Sequence, residues 1–349
     1  MNTLTLDRYR RSGLRSRQSR ILWGLTLALV AALLAGASSG ALGISPWVIF
    51  SGELDPMAVQ AWWQLRLPRL LLGVLVGAML AGSGAAMQGL FRNPLADPTL
   101  LGLASGAGLF VALWIVVGQE MALPQAGASL YGQFVAGFLG ALAVCLTVFA
   151  IARRQGGSSG AVMTLLLAGL AINTLAGAGG GILAFIASDE QLRQISLWGM
   201  GTLTGALWRT VGLALVLVPL GLWWLWRSAG ELDLLQLGES TAHAAGLDTP
   251  RLKRRIIIAT SLGVGISVAL TGVIGFLGLL VPHCLRLWLG PGHRLLIPAS
   301  MLGGALLLVI ADTLARILAM PAEIPVGLLT SLLGGPYFLY LLIRRSAIC

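Results

Sequence analysis

The chain has 349 residues, of which 57% are hydrophobic and only 10% are charged, and its mean hydropathy is +0.87. A soluble domain has about a quarter of its residues charged, so this composition excludes an ordinary soluble protein and indicates an integral membrane protein. The net charge of +10 would suggest nucleic acid as a partner in a soluble chain, but here membrane topology explains it better, and we expect no nucleic-acid binding.

A basic segment, residues 1–20, opens the chain and precedes the first apolar stretch. That stretch is longer than the core of a typical signal peptide, and no cleavage site stands out, so we expect a retained first helix. Apolar stretches of roughly 20 residues, the length that crosses a bilayer as a helix, recur to the end of the chain. We predict ten of them, at 21–43, 67–90, 100–118, 131–151, 161–187, 207–226, 255–271, 275–289, 295–315 and 326–343.

The eighth stretch is short and contains Pro282, His283 and Arg286, so we expect it to lie within protein rather than against lipid. Nothing along the chain resembles a soluble domain or a linker. The sequence therefore predicts an all-α fold in which residues 1–349 form one polytopic transmembrane domain surrounded by membrane lipid.

Positive charge is distributed unevenly between the two sides that this order of spans creates. With the N-terminus inside, only five of the 23 basic residues fall on the outer side, namely Arg66, Arg69, Arg193, Arg209 and Arg316. Such a bias is the positive-inside rule, and it predicts that both termini are cytoplasmic.

Three of the outer arginines lie at the mouths of spans. Arg66 and Arg69 are three residues apart before the second span, and Arg316 follows Asp312 by four residues at the end of the ninth. Residues four apart share a helix face, so we expect Asp312 to orient Arg316. A single arginine of this kind would be explained by a side chain that extends to the lipid phosphates. Three together favour docking of an acidic partner.

A polar corner, LFRNPLADPTLLG at residues 90–102, separates the second and third spans on the inner side. Pro94 and Pro98 fix φ and restrict the residues before them, which predicts a stiff turn. Asp97 is placed to cap the following helix.

A longer inner segment, residues 227–255, is broken by glycines and a proline into two short predicted helices. Inner loops of this length with helices of their own are more often functional than plain connectors, so we expect a cytoplasmic partner to dock there. The alternative, a helix lying on anionic lipid, is disfavoured by Glu231, Asp233 and Glu239.

The sequence offers no chemistry of its own to drive transport. The only lysine, Lys253, has none of the neighbours of a phosphate-binding loop, so the chain cannot bind ATP by that motif. The three histidines do not cluster, and we find no metal-ligand spacing and no catalytic constellation. Asp312 is the one acid within a span and already has an arginine nearby. We therefore expect no enzyme and no bound cofactor, but a partner-driven conduit, with an ion-coupled secondary transporter as the alternative.

Four stretches, at residues 64–108, 237–255, 271–316 and 322–345, resemble the FecCD-type permeases of bacterial ABC importers, which take up haem, iron–siderophores and cobalamin. The motifs RNPLADP and AEIPVG, the latter followed by LGGP, are the most specific. The resemblance implies a type II ABC importer permease fold, with ten helices in each subunit of a homodimer in the bacterial inner membrane. It also implies two cytoplasmic ATPase subunits that bind ATP-Mg and a periplasmic substrate-binding protein.

Carried over by position, the resemblance gives roles to three groups of residues. Outside, binding-protein docking falls to Arg66, Arg69 and Arg316. Inside, Gly238, Glu239 and Ala242 belong to the loop that seats in the ATPase, where Ala245 replaces an expected leucine. Asn93 and Leu95 lie near the cytoplasmic gate, and the fifth span lines the path at residues 166–181. The segment at 188–208 looks most like haem permeases, so haem is the first expectation, with ferric siderophore or cobalamin as alternatives.

Overall fold

The computed structural model describes residues 3–39, 56–118, 126–154, 161–320 and 322–346. Every regular element in these ranges is helical. They contain fourteen α-helices: α1 Thr3–Ser38, α2 Pro56–Ala61, α3 Leu67–Leu90, α4 Leu103–Leu113, α5 Ala126–Arg154, α6 Ala161–Ile186, α7 Asp189–Gly199, α8 Trp208–Arg227, α9 Ala229–Leu235, α10 Glu239–Ala244, α11 Thr249–Thr271, α12 Leu277–Leu289, α13 His293–Leu318 and α14 Val326–Ser346.

Three short helical turns of other types connect or extend these helices. A π-helical turn at Trp62–Arg66 joins α2 to α3, and a second one at Trp114–Gly118 continues α4. A 3₁₀ turn at Pro98–Leu101 leads into α4 through Gly102, whose φ of 83° lies in the left-handed region that glycine tolerates.

Each of the ten predicted apolar stretches coincides with a helix, and residues 40–43 of the first lie outside the described residues. Within the described ranges, seven helical segments are long and apolar enough to cross a membrane: Gln18–Ser38, Pro56–Leu90, Tyr131–Ile151, Leu167–Ile186, Trp208–Arg227, Thr249–Thr271 and His293–Leu318. Three more are apolar but shorter, at Leu103–Gly118, Leu277–Leu289 and Val326–Leu341. The all-helical membrane fold is thus confirmed, while the count of ten crossings stays a prediction.

Helix α3 is the centre of the fold and packs against α8, α11, α12 and α13. Glycines allow its backbone to approach its neighbours directly. A Cβ added to Gly77 would overlap the carbonyl of Gly304 in α13, and one added to Gly84 would overlap the carbonyl of Gly278 in α12. Close backbone approach of this kind is typical of membrane helices, because lipid provides no hydrophobic drive for their association.

Helices α3 and α13 run antiparallel and remain in contact along nearly their whole length. Arg69 pairs with Asp312 near one end, and Gly77 lies against Gly304 eight residues further along each helix. At the other end Gly89 lies against the ring of His293. The two helices therefore form one continuous pair, which we call the α3–α13 pair.

Burial differs sharply between helices. The face of α12 that carries Pro282 and His283 is buried, in agreement with the expectation that the eighth stretch lies within protein. In contrast, α6 exposes most of its apolar side chains, and a Cβ added to Gly177, Gly180 or Gly181 would meet nothing within 4 Å. Helix α6, the predicted lining of the path, is therefore loosely covered in the single chain.

Candidate functional site

An ion cluster lies at the end of the α3–α13 pair where α3 begins. Arg69 reaches Asp312 with two nitrogens, Nε at 2.9 Å and Nη2 at 2.8 Å from Oδ1, and its Nη1 donates to Glu323 Oε2 at 2.8 Å. The Arg69 side chain is 12% exposed and that of Asp312 only 2%. Such a two-pronged arginine–carboxylate pair is among the strong hydrogen-bonded contacts, and it fixes both side chains.

Arg316 joins the same cluster from one turn further along α13. Its Nε lies 3.3 Å from Asp312 Oδ2, which confirms the predicted pairing at a spacing of four. Its remaining nitrogens donate to the last carbonyls of α1, at 3.2 Å to Gly36 O and 3.0 Å to Ser39 O. Arg316 thereby joins α1 to α13.

Arg66 is the most accessible arginine of the three. It is half-buried, and its Nη1 donates to Ala37 O at 2.8 Å. No carboxylate in the described part of the chain forms an ion pair with it. The cluster of Arg66, Arg69, Arg316, Asp312 and Glu323 brings together three positive and two negative side chains, so the cluster itself has one positive charge in excess.

The corner between α3 and α4, which we call the gate corner (residues 91–98), is a tightly hydrogen-bonded turn. Arg92 has a φ of 49°, an uncommon conformation for a residue with a Cβ. Asn93 is exposed, and its side-chain Oδ1 accepts the backbone N–H of Leu95 at 3.0 Å. Leu95 itself is half-buried. The predicted stiff turn is therefore present, held by the Asn93 side chain as well as by its prolines.

Asp97 closes the gate corner as a helix cap. Its Oδ1 accepts from both the backbone N–H and the hydroxyl of Thr99, each at 2.7 Å. It caps the 3₁₀ turn that precedes α4 rather than α4 itself. Burial raises the pKa of the Asp97 carboxyl, and the two bonds from Thr99 offset this only in part.

The gate corner and helix α6 are brought together by the fold. The 3₁₀ turn packs against α6, and a Cβ on Gly102 would crowd Ile172 and Asn173. One turn further on, Ser105 Oγ donates to Asn173 Oδ1 at 2.7 Å. The turn that follows the gate corner therefore lies next to the fifth span, the predicted lining of the path.

The inner segment contains the two short helices that its sequence predicts, α9 and α10, and we call residues 229–245 the coupling segment. Its acids are paired with basic residues of the spans. Glu231 binds Arg255 at 2.9 Å and Glu239 binds Lys253 at 2.6 Å, both on α11. These pairs hold the coupling segment against the ends of the spans.

The third acid of the segment, Asp233, binds the start of α13. Its Oδ1 accepts the backbone N–H of His293 at 2.6 Å and lies 3.0 Å from the ring Nδ1. Burial alone would raise the pKa of Asp233, but the hydrogen bonds from His293 outweigh it and the pKa is lowered. Sequence reasoning missed His293, because its side-chain partners lie 57 and 60 residues away in the chain.

The three predicted coupling residues are not equally accessible. Gly238 begins α10 with a φ of 108°, and both Gly238 and Glu239 are half-buried. Ala242 is only 1% exposed and belongs to the hydrophobic core, so it supports the surface from beneath. The most exposed large apolar side chain of the segment is Leu237, at 66%, followed by Leu234 at 39%, and the sequence analysis singled out neither.

The ion cluster and the coupling segment lie at opposite ends of α13. His293 is its first residue and Arg316 lies 23 residues later, which corresponds to about 35 Å along an α-helix. The hydrocarbon core of a bilayer is about 30 Å thick, so the two sites are separated by about the thickness of a membrane.

In the described ranges, no three His, Cys, Asp or Glu side chains are grouped closely enough to hold a metal ion.

Comparison with known proteins identifies relatives along nearly the whole chain. Residues 26–344 match the model of the FecCD transport family. The hemin transport system permease protein HmuU of Yersinia pestis is 48% identical over 333 residues, covering 94% of this chain and 97% of that protein.

Cobalamin permeases are also similar. The cobalamin import system permease protein BtuC of Halobacterium salinarum is 45% identical over 282 residues, covering 81% of this chain and 73% of that protein. The vitamin B12 import system permease protein BtuC of Klebsiella pneumoniae is 40% identical over 330 residues, covering 94% of this chain and 95% of that protein. Among solved structures, a metal-chelate type ABC transporter in an inward-facing conformation superposes with a TM-score of 0.82 at 33% identity, covering 93% of this chain and 99% of that one.

Proposed function

Because the chain belongs to the FecCD transport family and is the permease subunit of an ABC importer, we propose that it carries haem from the periplasm to the cytoplasm across the bacterial inner membrane. The hemin permease of Yersinia pestis supports this cargo, since it is 48% identical over 94% of the chain. A second candidate is cobalamin, favoured by the relatives at 45% and 40% identity.

The observation that supports the proposal is that the ion cluster and the coupling segment, the two proposed docking surfaces, lie at opposite ends of a helix long enough to span a bilayer. In the proposed assembly, a homodimer with both termini in the cytoplasm binds a periplasmic binding protein at the ion cluster. Two ATPase subunits, which bind ATP-Mg, are proposed to seat at the coupling segments. The permease itself supplies the path and the linkage between them.

At the outer surface, the three arginines have different parts in the proposed docking. Arg66 is accessible and has no carboxylate partner among the described residues, so it is the direct contact for an acidic side chain. Arg69 and Arg316 are held by Asp312 and keep the positive surplus in place. Complementary charge at such a surface speeds association and selects the partner.

At the inner surface, Leu237 is the proposed apolar contact with the ATPase. Gly238 and Glu239 set the conformation of the segment behind it, and Ala242 packs beneath. Movement of the segment then reaches the gate corner, where Asn93 and Leu95 close the path next to α6. A large, flat cargo passing along the apolar and glycine-rich α6 needs few specific ligands there, so selection is left to the binding protein.

The test is uptake into proteoliposomes that contain the permease, its ATPase and its binding protein. Haem on the binding protein should stimulate ATP hydrolysis and appear inside the vesicles, and neither cobalamin nor a ferric siderophore should do so. Stimulation by cobalamin alone would instead support the second candidate cargo, cobalamin. Uptake by the permease without any ATPase, abolished by collapsing an ion gradient, would refute the proposal in favour of a secondary transporter.

The docking role has its own test, the variant Arg66→Glu. We expect it to weaken association with the binding protein and leave assembly with the ATPase unchanged. Arg69 is kept, because a glutamate there would face Asp312. Arg254→Glu is the matched control, since it makes the same charge change on an exposed side chain near the start of α11, the coupling end, that forms no ion pair with the described residues. Equal association of both variants would contradict the docking role.

A further inference from the structure

The side chain of His293 is completely buried, with 0% exposed, and two polar side chains of the coupling segment lie at its ring Nδ1 and backbone N–H. The Asp233 carboxylate accepts from the backbone N–H at 2.6 Å and lies 3.0 Å from Nδ1. Gln236 Nε2 lies 2.9 Å from Nδ1 and donates to Pro291 O at 3.2 Å. The ring is therefore in close contact with Asp233 in the last turn of α9 and with Gln236, the residue that follows α9.

The opposite edge of the same ring lies against α3. A Cβ added to Gly89 would overlap the ring Nε2, so ring and backbone are in direct contact. The gate corner begins on this turn of α3: Gly89 O accepts the N–H of Arg92 at 3.2 Å, and Gln88 O accepts that of Asn93 at 3.1 Å. One side chain thus touches the coupling segment on one edge and the base of the gate corner on the other.

We infer that His293 is a positioning residue for transport, which passes displacement of the coupling segment to the gate corner. The inference rests on the proposed function, because it assumes that an ATPase moves the segment. Asp233 cannot shift without carrying the backbone and ring of His293, and a ring in contact with Gly89 has no space to absorb that shift. Close-packed contacts pass small displacements on as movements of whole elements.

A histidine that only fills space in the core would make the same contacts. The test must therefore separate this packing role from the transmission of movement to the gate corner. Three variants do this: His293→Ala, Gly89→Ala, and the two combined. Gly89→Ala forces a Cβ into the ring, and the second substitution removes the clash. Gly212→Ala is the matched control, since a Cβ at that glycine of α8 meets nothing within 4 Å.

The readout is movement of the gate corner in the permease–ATPase complex, which does not depend on the cargo. A cysteine is introduced by Arg92→Cys, and its rate of labelling by a water-soluble maleimide is compared with and without ATP. The same protein without this cysteine gives the background. We expect ATP to change the rate in the otherwise unaltered chain and in Gly212→Ala. His293→Ala should reduce that change by about tenfold, with the ATPase still bound.

The combined variant decides between transmission and filling. We expect it to assemble as well as the unaltered chain while its gate corner stays insensitive to ATP. Recovery of the ATP response in the combined variant would overturn the inference, because the ring would then serve only to fill space.

Asp233→Asn is a second test that leaves the packing intact. It too should weaken the effect of ATP on labelling of the gate corner. An undiminished response in Asp233→Asn and in His293→Ala would equally overturn the inference. An unaltered permease that binds no ATPase would refute the proposed function instead.

Discussion

Asp312 is the shared carboxylate partner of two largely buried arginines, Arg69 and Arg316, and replacing it by asparagine should destabilise the permease strongly. Removing one partner from a buried ion pair costs about 3–5 kcal/mol, because the remaining charge is left without compensation. Here Arg69 keeps Glu323, and Arg316 keeps the carbonyls of Gly36 and Ser39. We therefore expect the lower end of that range, about 3 kcal/mol.

The assay is thermal unfolding of the purified permease in detergent, where this loss should lower the midpoint by about 4 °C. Glu323→Gln is the matched control. It also removes a carboxylate bonded to Arg69, but that side chain is 39% exposed and its ion pair is worth at most about 1 kcal/mol. If Asp312→Asn and Glu323→Gln lower the midpoint equally, the cluster is screened by solvent and the reasoning from burial is wrong.

Three further outcomes can be measured on the same preparation. Because the pKa of Asp97 is raised, its ionised form is unfavourable in the folded chain. The free energy of unfolding should therefore rise as the pH falls from above the folded pKa towards about 3.9. Asp97→Asn should remove this pH dependence from the unfolding midpoints. Gly84→Ala should prevent assembly or lower the midpoint sharply, because its Cβ would overlap a backbone carbonyl of α12, whereas Gly212→Ala should not. Leu237→Glu should reduce co-purification of the ATPase with no change in the unfolding midpoint.

The helices were predictable from the sequence because membrane insertion leaves few alternatives. An apolar stretch of bilayer length must satisfy its backbone internally, so each predicted stretch is helical. Contacts within one helical turn were equally predictable from the sequence, as the pairing of Asp312 with Arg316 shows. Helix α7 was missed, although Ser188 and Gln191 form a capping box that is readable three residues apart.

The candidate sites were predictable only in part, since they depend on contacts between distant segments. Arg69 and Asp312 are 243 residues apart, and no local pattern indicates that one arginine-bearing helix end meets that carboxylate. Likewise, the burial of Ala242 depends on what packs over α10, not on the helix itself. A single sequence names the residue types at a site, but the tertiary structure decides which of them face outward.

Packing divides the molecule into a stiff part and a loosely held part, and this division suits the proposed transport cycle. Where Gly77 meets Gly304 in the α3–α13 pair, backbone lies against backbone, so at that contact no flexible side chain absorbs a displacement. We therefore expect the pair to move as one body, with the arginine cluster at one end and His293 at the other. Helix α6 has open space beside three of its glycines, so it is the element that can shift against the gate corner while the pair keeps its shape.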